Sequence, residues 1–437
     1  MRILLALAAI VVLVSGCPSE KKKADSGVCE PGATMACYDH PDGAAGVGIC
    51  AAGVSTCGAD QGWGACAGSV GPAAEICANA LDDDCNGTPD DGPPDLSRIE
   101  FTSNTIDDNC NGMTNEAATL CDSGLTSNAT EPLDYAKAVE MCAVTTTGAT
   151  NAFGVTAAGF TLTDGTGAPN ASQRSIRPAF GTNVAPRAGS SLTVLSTGVA
   201  ASVGQTNPAY AAPQNGSDFV ATSTMPASWI TANTNVVPVA PGCPALFGVP
   251  ATNDPILFTL QLKAPTNAHA IAFDAFFFTA DFPEYVCSSL TDVFVALLES
   301  SFAGAPANPA DGNIARATGV PVVSASNAFG STGLFTACTN GATGCSSGVA
   351  GTISTCAESA SLAGTGYEIL DAVCQAGDLT GGGTGWLTAS GNVVPGETIT
   401  LRFALWDTSD GISDSTVLVD NVRWLPTNVT PGAQIAE

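Results

Sequence analysis

Thr398-Ile399-Thr400-Leu401-Arg402-Phe403-Ala404-Leu405-Trp406 sets Ile399, Leu401, Phe403 and Leu405 at every second position. A repeat of two puts those side chains on one face of an extended chain, as in a half-buried antiparallel strand. Val417, Val419 and Val422 follow the same period if Asp420-Asn421 forms a bulge. Outward from there, apolar runs predict strands at Ser191–Ser196, Ile256–Leu262, His269–Thr279, Asp292–Leu298, Gly319–Ser324 and Thr416–Trp424. One segment reads as a helix, Glu131–Cys142: Pro132 suits a first turn, and Leu133, Ala136, Val139 and Cys142 share a face. Gly381-Gly382-Gly383 reads as a turn. The expected fold is mainly β: a jelly-roll-like β-sandwich over residues 131–426 with a tail at 427–437.

A different chemistry precedes it. In Asp82-Asp83-Asp84-Cys85-Asn86-Gly87-Thr88-Pro89-Asp90, oxygen ligands stand at positions 1, 3, 5 and 9 of a calcium loop, with Gly at 6. The Thr88 carbonyl occupies position 7. The pattern returns 25 residues on, with Asp107, Asn109, Asn111, Gly112, Met113 and Asn115 at the same offsets. Position 12, a bidentate Glu in an EF-hand, is Pro93 in one loop and Ala118 in the other, and no amphipathic helix flanks either. Each loop carries a cysteine at position 4, so a disulfide is expected to hold it. With three carboxylates against one, unless Glu116 reaches in, the first loop should bind more tightly. The bland alternative is an acidic, hydrated turn.

Composition points outside the cytoplasm. Forty acidic against 13 basic residues exclude nucleic-acid binding by charge and favour divalent cations as partners. Met1-Arg2 and the apolar run Ile3–Val14 form a signal-peptide core too short to span a bilayer. Val14-Ser15-Gly16-Cys17 resembles a bacterial lipobox, which implies cleavage after residue 16, acylation of Cys17 and a lipidated tether over 17–28. Pro18 in place of Asp favours the outer membrane or cell surface. Setting Cys17 apart leaves sixteen cysteines, an even number suited to a disulfide framework, and no CxxC pair. Apolar sequence is sparse over 29–121, so that region needs such staples.

Cys29-Glu30-Pro31-Gly32-Ala33-Thr34, Gly46–Cys50, Gly53–Cys57, Gly62–Cys66 and Glu75-Ile76-Cys77, followed by the Asp82 loop, resemble a metal-binding motif family of secreted bacterial surface proteins. That family takes its name from a copper-binding outer-surface protein. The likeness covers about 29–92, with a degraded second copy to about 121. There Thr102 replaces the counterpart of Cys77, which leaves Cys110 to find another partner, with Cys121 as the candidate. The ligands are hard oxygens, which suit Ca²⁺ better than copper, although Met35, His40 and cysteines could in principle hold copper. A second resemblance runs through Ala136–Cys142, Leu195–Gly198, Phe276–Val286, Thr291–Phe294 and Trp406–Asn421. These look like a choice-of-anchor L domain, with Thr291 where that family has Asn. The likeness implies an exported surface domain and no particular activity.

The two histidines, His40 and His269, lie in different regions, and no nucleophile elbow, His-Glu-x-x-His or phosphate loop occurs. Asp281, Glu284 and Asp292 could serve glycoside hydrolysis or, with Asp407, Asp410, Asp414 and Asp420, a second cation site. The expectation is a non-catalytic, lipid-anchored surface protein with calcium loops and a sandwich that binds an extracellular polymer, glycan or surface protein. The alternatives are a secreted carbohydrate-active enzyme and a metal scavenger, copper included, on a β scaffold.

Overall fold

The computed structural model describes residues 28–436, apart from 42, 103, 216–218, 246–249, 251, 318, 329–331, 347–351, 354–355, 372–373 and 375–377. The leader, Cys17 and nearly all of the tether lie outside the described residues. The chain divides into two compact units, Met1–Ile76 with Ala80–Asp90, and Cys77–Asn79 with Asp91–Glu437.

The smaller unit has one antiparallel ladder, β1 (Thr34–Cys37) with β2 (Gly53–Thr56). Its only buried apolar side chains among the described residues are Cys29, Cys50, Cys57 and Cys85. These belong to the disulfides Cys29–Cys57 and Cys50–Cys85, with Cys37–Cys66 beside them. Covalent links thus stand where a hydrophobic core would be, as a region poor in apolar sequence requires.

The larger unit is a two-sheet antiparallel sandwich. Its strands are β3 (Gly154–Thr161), β4 (Arg174–Arg177), β5 (Leu192–Ser196), the short β6 (Thr222–Ser223), β7 (Thr252–Lys263), β8 (Ala270–Thr279) and β9 (Val293–Glu299). Two small ladders follow, β10 (Ala342–Thr343) with β11 (Thr352–Ile353) and β12 (Ile369–Asp371) with β13 (Asp378–Thr380). The last strands are β14 (Gly382–Asn392), β15 (Thr398–Thr408), β16 (Ser415–Leu425) and β17 (Gly432–Ile435). One sheet runs β17-β14-β8-β16-β5-β4 and the other β3-β7-β15-β9, with β6 on β7.

Between the sheets pack Ile399, Leu401, Phe403 and Leu405 of β15, Phe258, Leu260 and Leu262 of β7, and Ile271, Phe273 and Phe277 of β8. The Phe273 and Phe403 rings meet edge to face at 4.9 Å. The opposite faces are buried too: Phe276 and Phe278 lie with Phe180, Val194 and Tyr367, and Trp406 with Trp229 on helix α2 (Ala227–Ala232). Residues 97–101 dock on the sandwich, where Asn267 Oδ1 accepts the Ile99 N–H (3.0 Å), its amide donates to the Ile99 carbonyl (2.8 Å) and Phe101 enters the core.

Several expectations need correction. Gly319–Ser324 is not a strand: Gly319 has φ +75°, Pro321 has no N–H to donate, and only isolated bridges form at Val320 and Val323. Gly382 and Gly383 are not a turn but open β14, paired with Thr279 and Phe278, because a Cβ on Gly383 would meet the Phe277 carbonyl at 2.6 Å. The helix α1 spans only Pro132–Lys137. It closes with Met141 N–H on the Ala136 carbonyl (3.0 Å) and Glu140 N–H on the Lys137 carbonyl (3.0 Å), with Glu140 left-handed at φ +69°. Cys110 pairs with Cys77, not Cys121, and Cys121 pairs with Cys142. The bulge in β16 is present, with a register shift between Asp420 and Arg423.

Candidate metal centres

The first Asp loop is shaped by its own carboxylates. Asp82 Oδ1 accepts the Asn86 N–H (3.0 Å) and its Oδ2 accepts that of Gly87 (2.9 Å). Asp84 Oδ1 accepts the Asn86 N–H (3.0 Å), and Asn86 Oδ1 accepts that of Thr88 (2.9 Å). Gly87 sits at φ +102°, a conformation that favours glycine, and Cys85 at +63° is tied to Cys50.

Glu75 completes the arrangement. Its Oε1 accepts the Asp84 N–H (2.8 Å) and its Oε2 that of Asp90 (3.1 Å). One oxygen from each of Glu75, Asp82 and Asp84 lies within 4.8 Å of the others, close enough to share one cation. Asp90 is buried and directs its Oδ2 to the Ala80 N–H (3.0 Å). Glu75 escaped the sequence reading because it precedes the loop. The signal available was the repeat itself, since Glu75 and Glu100 each stand seven residues ahead of Asp82 and Asp107.

The second loop, in the larger unit, repeats the fold. Asp107 accepts the N–H groups of Asn111 (3.2 Å) and Gly112 (2.7 Å), and Asn109 Oδ1 that of Asn111 (3.1 Å). Asn111 Oδ1 accepts the Met113 N–H (2.9 Å), and Glu100 that of Asn115 (2.8 Å). Glu116 does reach in, taking amide N–H groups from Asn109 (3.1 Å) and Asn111. No group of three carboxylates within reach of one ion forms here among the described residues. The copper alternative loses its thiolates, because Cys243–Cys287, Cys338–Cys356 and Cys345–Cys374 complete eight disulfides. Met35 is exposed, and His40 lies 3.4 Å from the Asp39 carboxylate.

A third group of carboxylates gathers at one end of the sandwich. Asp281 follows β8, Asp292 precedes β9, Asp407 ends the apolar part of β15 and Asp414 precedes β16. Strand register brings them together: Trp406 pairs with Val293, so Asp407 faces Asp292, and Ser415 pairs with Thr279, which sets Asp414 beside Ala280 and Asp281. All four are buried, as is Glu284. Asp281 Oδ2 accepts the Asp292 N–H (2.8 Å), and Asp292 Oδ2 accepts the Ser415 hydroxyl (2.6 Å). Burial raises the Asp281, Asp292 and Asp407 carboxyls well above the usual range, and their mutual repulsion adds to it. Asp410 is half-buried at the rim and acts on Asp281. Asp420 does not join them: at the β16 bulge it accepts N–H groups from Arg187 (2.5 Å) and Ala188 (3.3 Å) and lies against Glu140.

No helix among the described residues is long and apolar enough to cross a membrane. Against this geometry, no family model matches the chain, and no curated protein or solved structure is significantly similar to it.

Proposed function

We propose that the chain is a non-catalytic, lipid-anchored cell-surface protein whose Asp82 loop binds Ca²⁺ and whose sandwich engages an extracellular polymer, glycan or surface protein. The observation that carries the calcium reading is the approach of Glu75, Asp82 and Asp84 within 4.8 Å, on a loop already curled by N–H groups donated to Asp82. Glu75 supplies from upstream the carboxylate that position 12 lacks. Every donor is a hard oxygen, as Ca²⁺ prefers. The resemblance to the secreted metal-binding motif, the disulfides and the surplus of acid support an extracytoplasmic setting.

Calorimetric titration of the full chain tests the metal. Ca²⁺ should bind in the range of extracellular modules, on the order of 10⁻⁴ to 10⁻³ M, and Asp82→Ala with Asp84→Ala should remove that binding phase. Tighter Cu²⁺ binding that survives the double substitution would replace calcium with copper. Cys17→Ser should release the chain from the membrane fraction, and a binding screen against glycans and matrix polymers tests the sandwich.

A further inference from the structure

One peptide bond in the sandwich is held in a conformation that its own residues disfavour. Asp254 lies inside β7 at φ +43°, in the left-handed region, and Pro255 follows it. Residues with a side chain seldom adopt that region, and a following proline ring restricts the backbone before it further. This is the one Asp–Pro bond in the chain. Strand register explains where the distortion falls. Leu405 pairs with Ile256 and Asp407 with Asn253, so Asp254 and Pro255 stand opposite Trp406 alone, a bulge of two residues against one. The Asp254 N–H donates to the Ala221 carbonyl (2.8 Å), and Asp254 Oδ1 accepts the N–H groups of Phe219 (3.1 Å) and Ala221 (3.2 Å). The Asp254 main-chain carbonyl, the one bonded to Pro255, accepts a hydrogen bond from Gln173 Nε2 at 2.6 Å. Gln173 and Asp254 are completely buried, yet Val220, between the two residues that hold the carboxylate, is 82 % exposed. Solvent therefore lies just beyond that segment.

We propose that the Asp254–Pro255 bond is a self-cleavage site, at which the folded chain cuts itself with Gln173 as donor to the reacting carbonyl. The nucleophile is built in, because an aspartate carboxyl can close onto its own main-chain carbonyl carbon as a cyclic anhydride. An oxygen of the Asp254 carboxyl bonds to the Asp254 carbonyl carbon, and the C–N bond to Pro255 breaks. The carboxyl proton passes to the Pro255 nitrogen, which leaves as a secondary amine. Water then opens the anhydride and leaves two carboxyl groups on a new chain end at Asp254. The Gln173 N–H is aimed at the oxygen that gathers negative charge during the attack. Cleavage also releases the left-handed constraint on Asp254, a strain present only in the intact chain. The cut consumes its own chain and turns over no substrate, so it stands beside the non-catalytic reading above and does not rest on it. Cys243–Cys287 spans the bond, and the two pieces stay joined until that disulfide is reduced.

The experiment incubates the purified full chain at mildly acid pH and follows it by intact mass and by gel electrophoresis with and without reductant. Two pieces should appear, one ending at Asp254 and one beginning at Pro255, and they should separate only after reduction. Asp–Pro bonds are labile in acid even in unfolded chains, so the same protein unfolded in urea at the same pH is the reference. The folded chain should be cut on the order of a hundredfold faster, the worth of one oxyanion donor. Gln173→Met, which removes that donor at similar volume, should bring the folded rate down to the reference. Asp254→Asn keeps an acceptor for Phe219 and Ala221 and should abolish the cut. If Asp254→Asn does not fold, the folded and unfolded parent chains decide alone. A folded chain that stays whole, or is cut no faster than the unfolded one, overturns the proposal. So does a cut that maps to another bond or persists in folded Asp254→Asn, and an unchanged rate in folded Gln173→Met overturns the part given to Gln173.

Discussion

Glu140 and Asp420 share one amide: the Asn421 N–H points to Asp420 Oδ1 at 2.7 Å and to Glu140 Oε2 at 3.2 Å. Burial, then the Asp420 charge, pushes the Glu140 carboxyl up to about 9. Burial also lifts Asp420 to about 6, against the N–H groups of Arg187, Asn421 and Ala188 that hold its charged form. Asp122 faces the pair, while neighbouring Asp274 is balanced by Arg187 (3.4 Å) and Arg423 (3.2 Å). The pair therefore carries a proton near neutrality, with Glu140 as its holder.

The pH consequence has a definite sign. Both folded values lie above the ordinary carboxylate range, so the pair's contribution is complete in acid and is lost as pH rises through about 6 and then about 9. Melting curves should show stability falling over that window. Glu140→Gln should flatten the fall and leave the protein at least about 1 kcal/mol more stable than its parent at the alkaline end. An unchanged pH profile in that variant would refute the shared proton.

Phe403 lies fully buried between the sheets, against Phe273 and Phe258. Phe403→Ala should cost about 3–5 kcal/mol through lost transfer energy and the cavity left behind. Denaturant unfolding would measure it, and a loss below about 1 kcal/mol would mean the sheets do not pack there.

At the first loop, Glu75→Gln should weaken Ca²⁺ about tenfold by removing one of three converging charges, its single carbonyl oxygen keeping only one of the two acceptors that the Asp84 and Asp90 N–H groups use. Asp90→Asn should have a smaller effect, because that side chain is turned to Ala80. Calorimetry of the two variants gives the order; the reverse order would restore the position-9 carboxylate as the stronger ligand.

Peptide mapping without reduction should recover Cys50–Cys85 and Cys77–Cys110. Replacing Cys50 and Cys85 together by Ser should cost the smaller unit about 2–5 kcal/mol, since its buried apolar groups are half-cystines. Hydrogen exchange along β1 and β2 would report the loss.

The sandwich was legible wherever one face alternates, as in β15, or an apolar run is continuous, as in β8. It was illegible where small residues make the strand. β14 opens on Gly382-Gly383 because the chain passes close to β8, and β3 reads Gly-Val-Thr-Ala-Ala-Gly-Phe-Thr, with little apolar contrast. The Asp loops were legible because their oxygen-bearing side chains are local in sequence, whereas Glu75 lies outside the twelve-residue frame. The end-of-sandwich carboxylates were visible as acidic loop residues. Their convergence, and the separation of Asp420 from them, follows from strand register, which links residues more than a hundred positions apart.

The outer side of β9 has a further consequence. Phe294 N–H bonds to the Val323 carbonyl (2.9 Å), Leu298 N–H to Gly312 (2.9 Å), and Ile314 N–H returns to Ala296 (2.9 Å). An irregular segment thus occupies the hydrogen-bonding groups that an edge strand would offer to another chain. At the ends of the other sheet, β4 and β17 are four residues each, too short to template a long ladder. At these three edges strand-to-strand joining between copies is opposed, and a partner at the β9 edge would have to read side chains rather than add a strand.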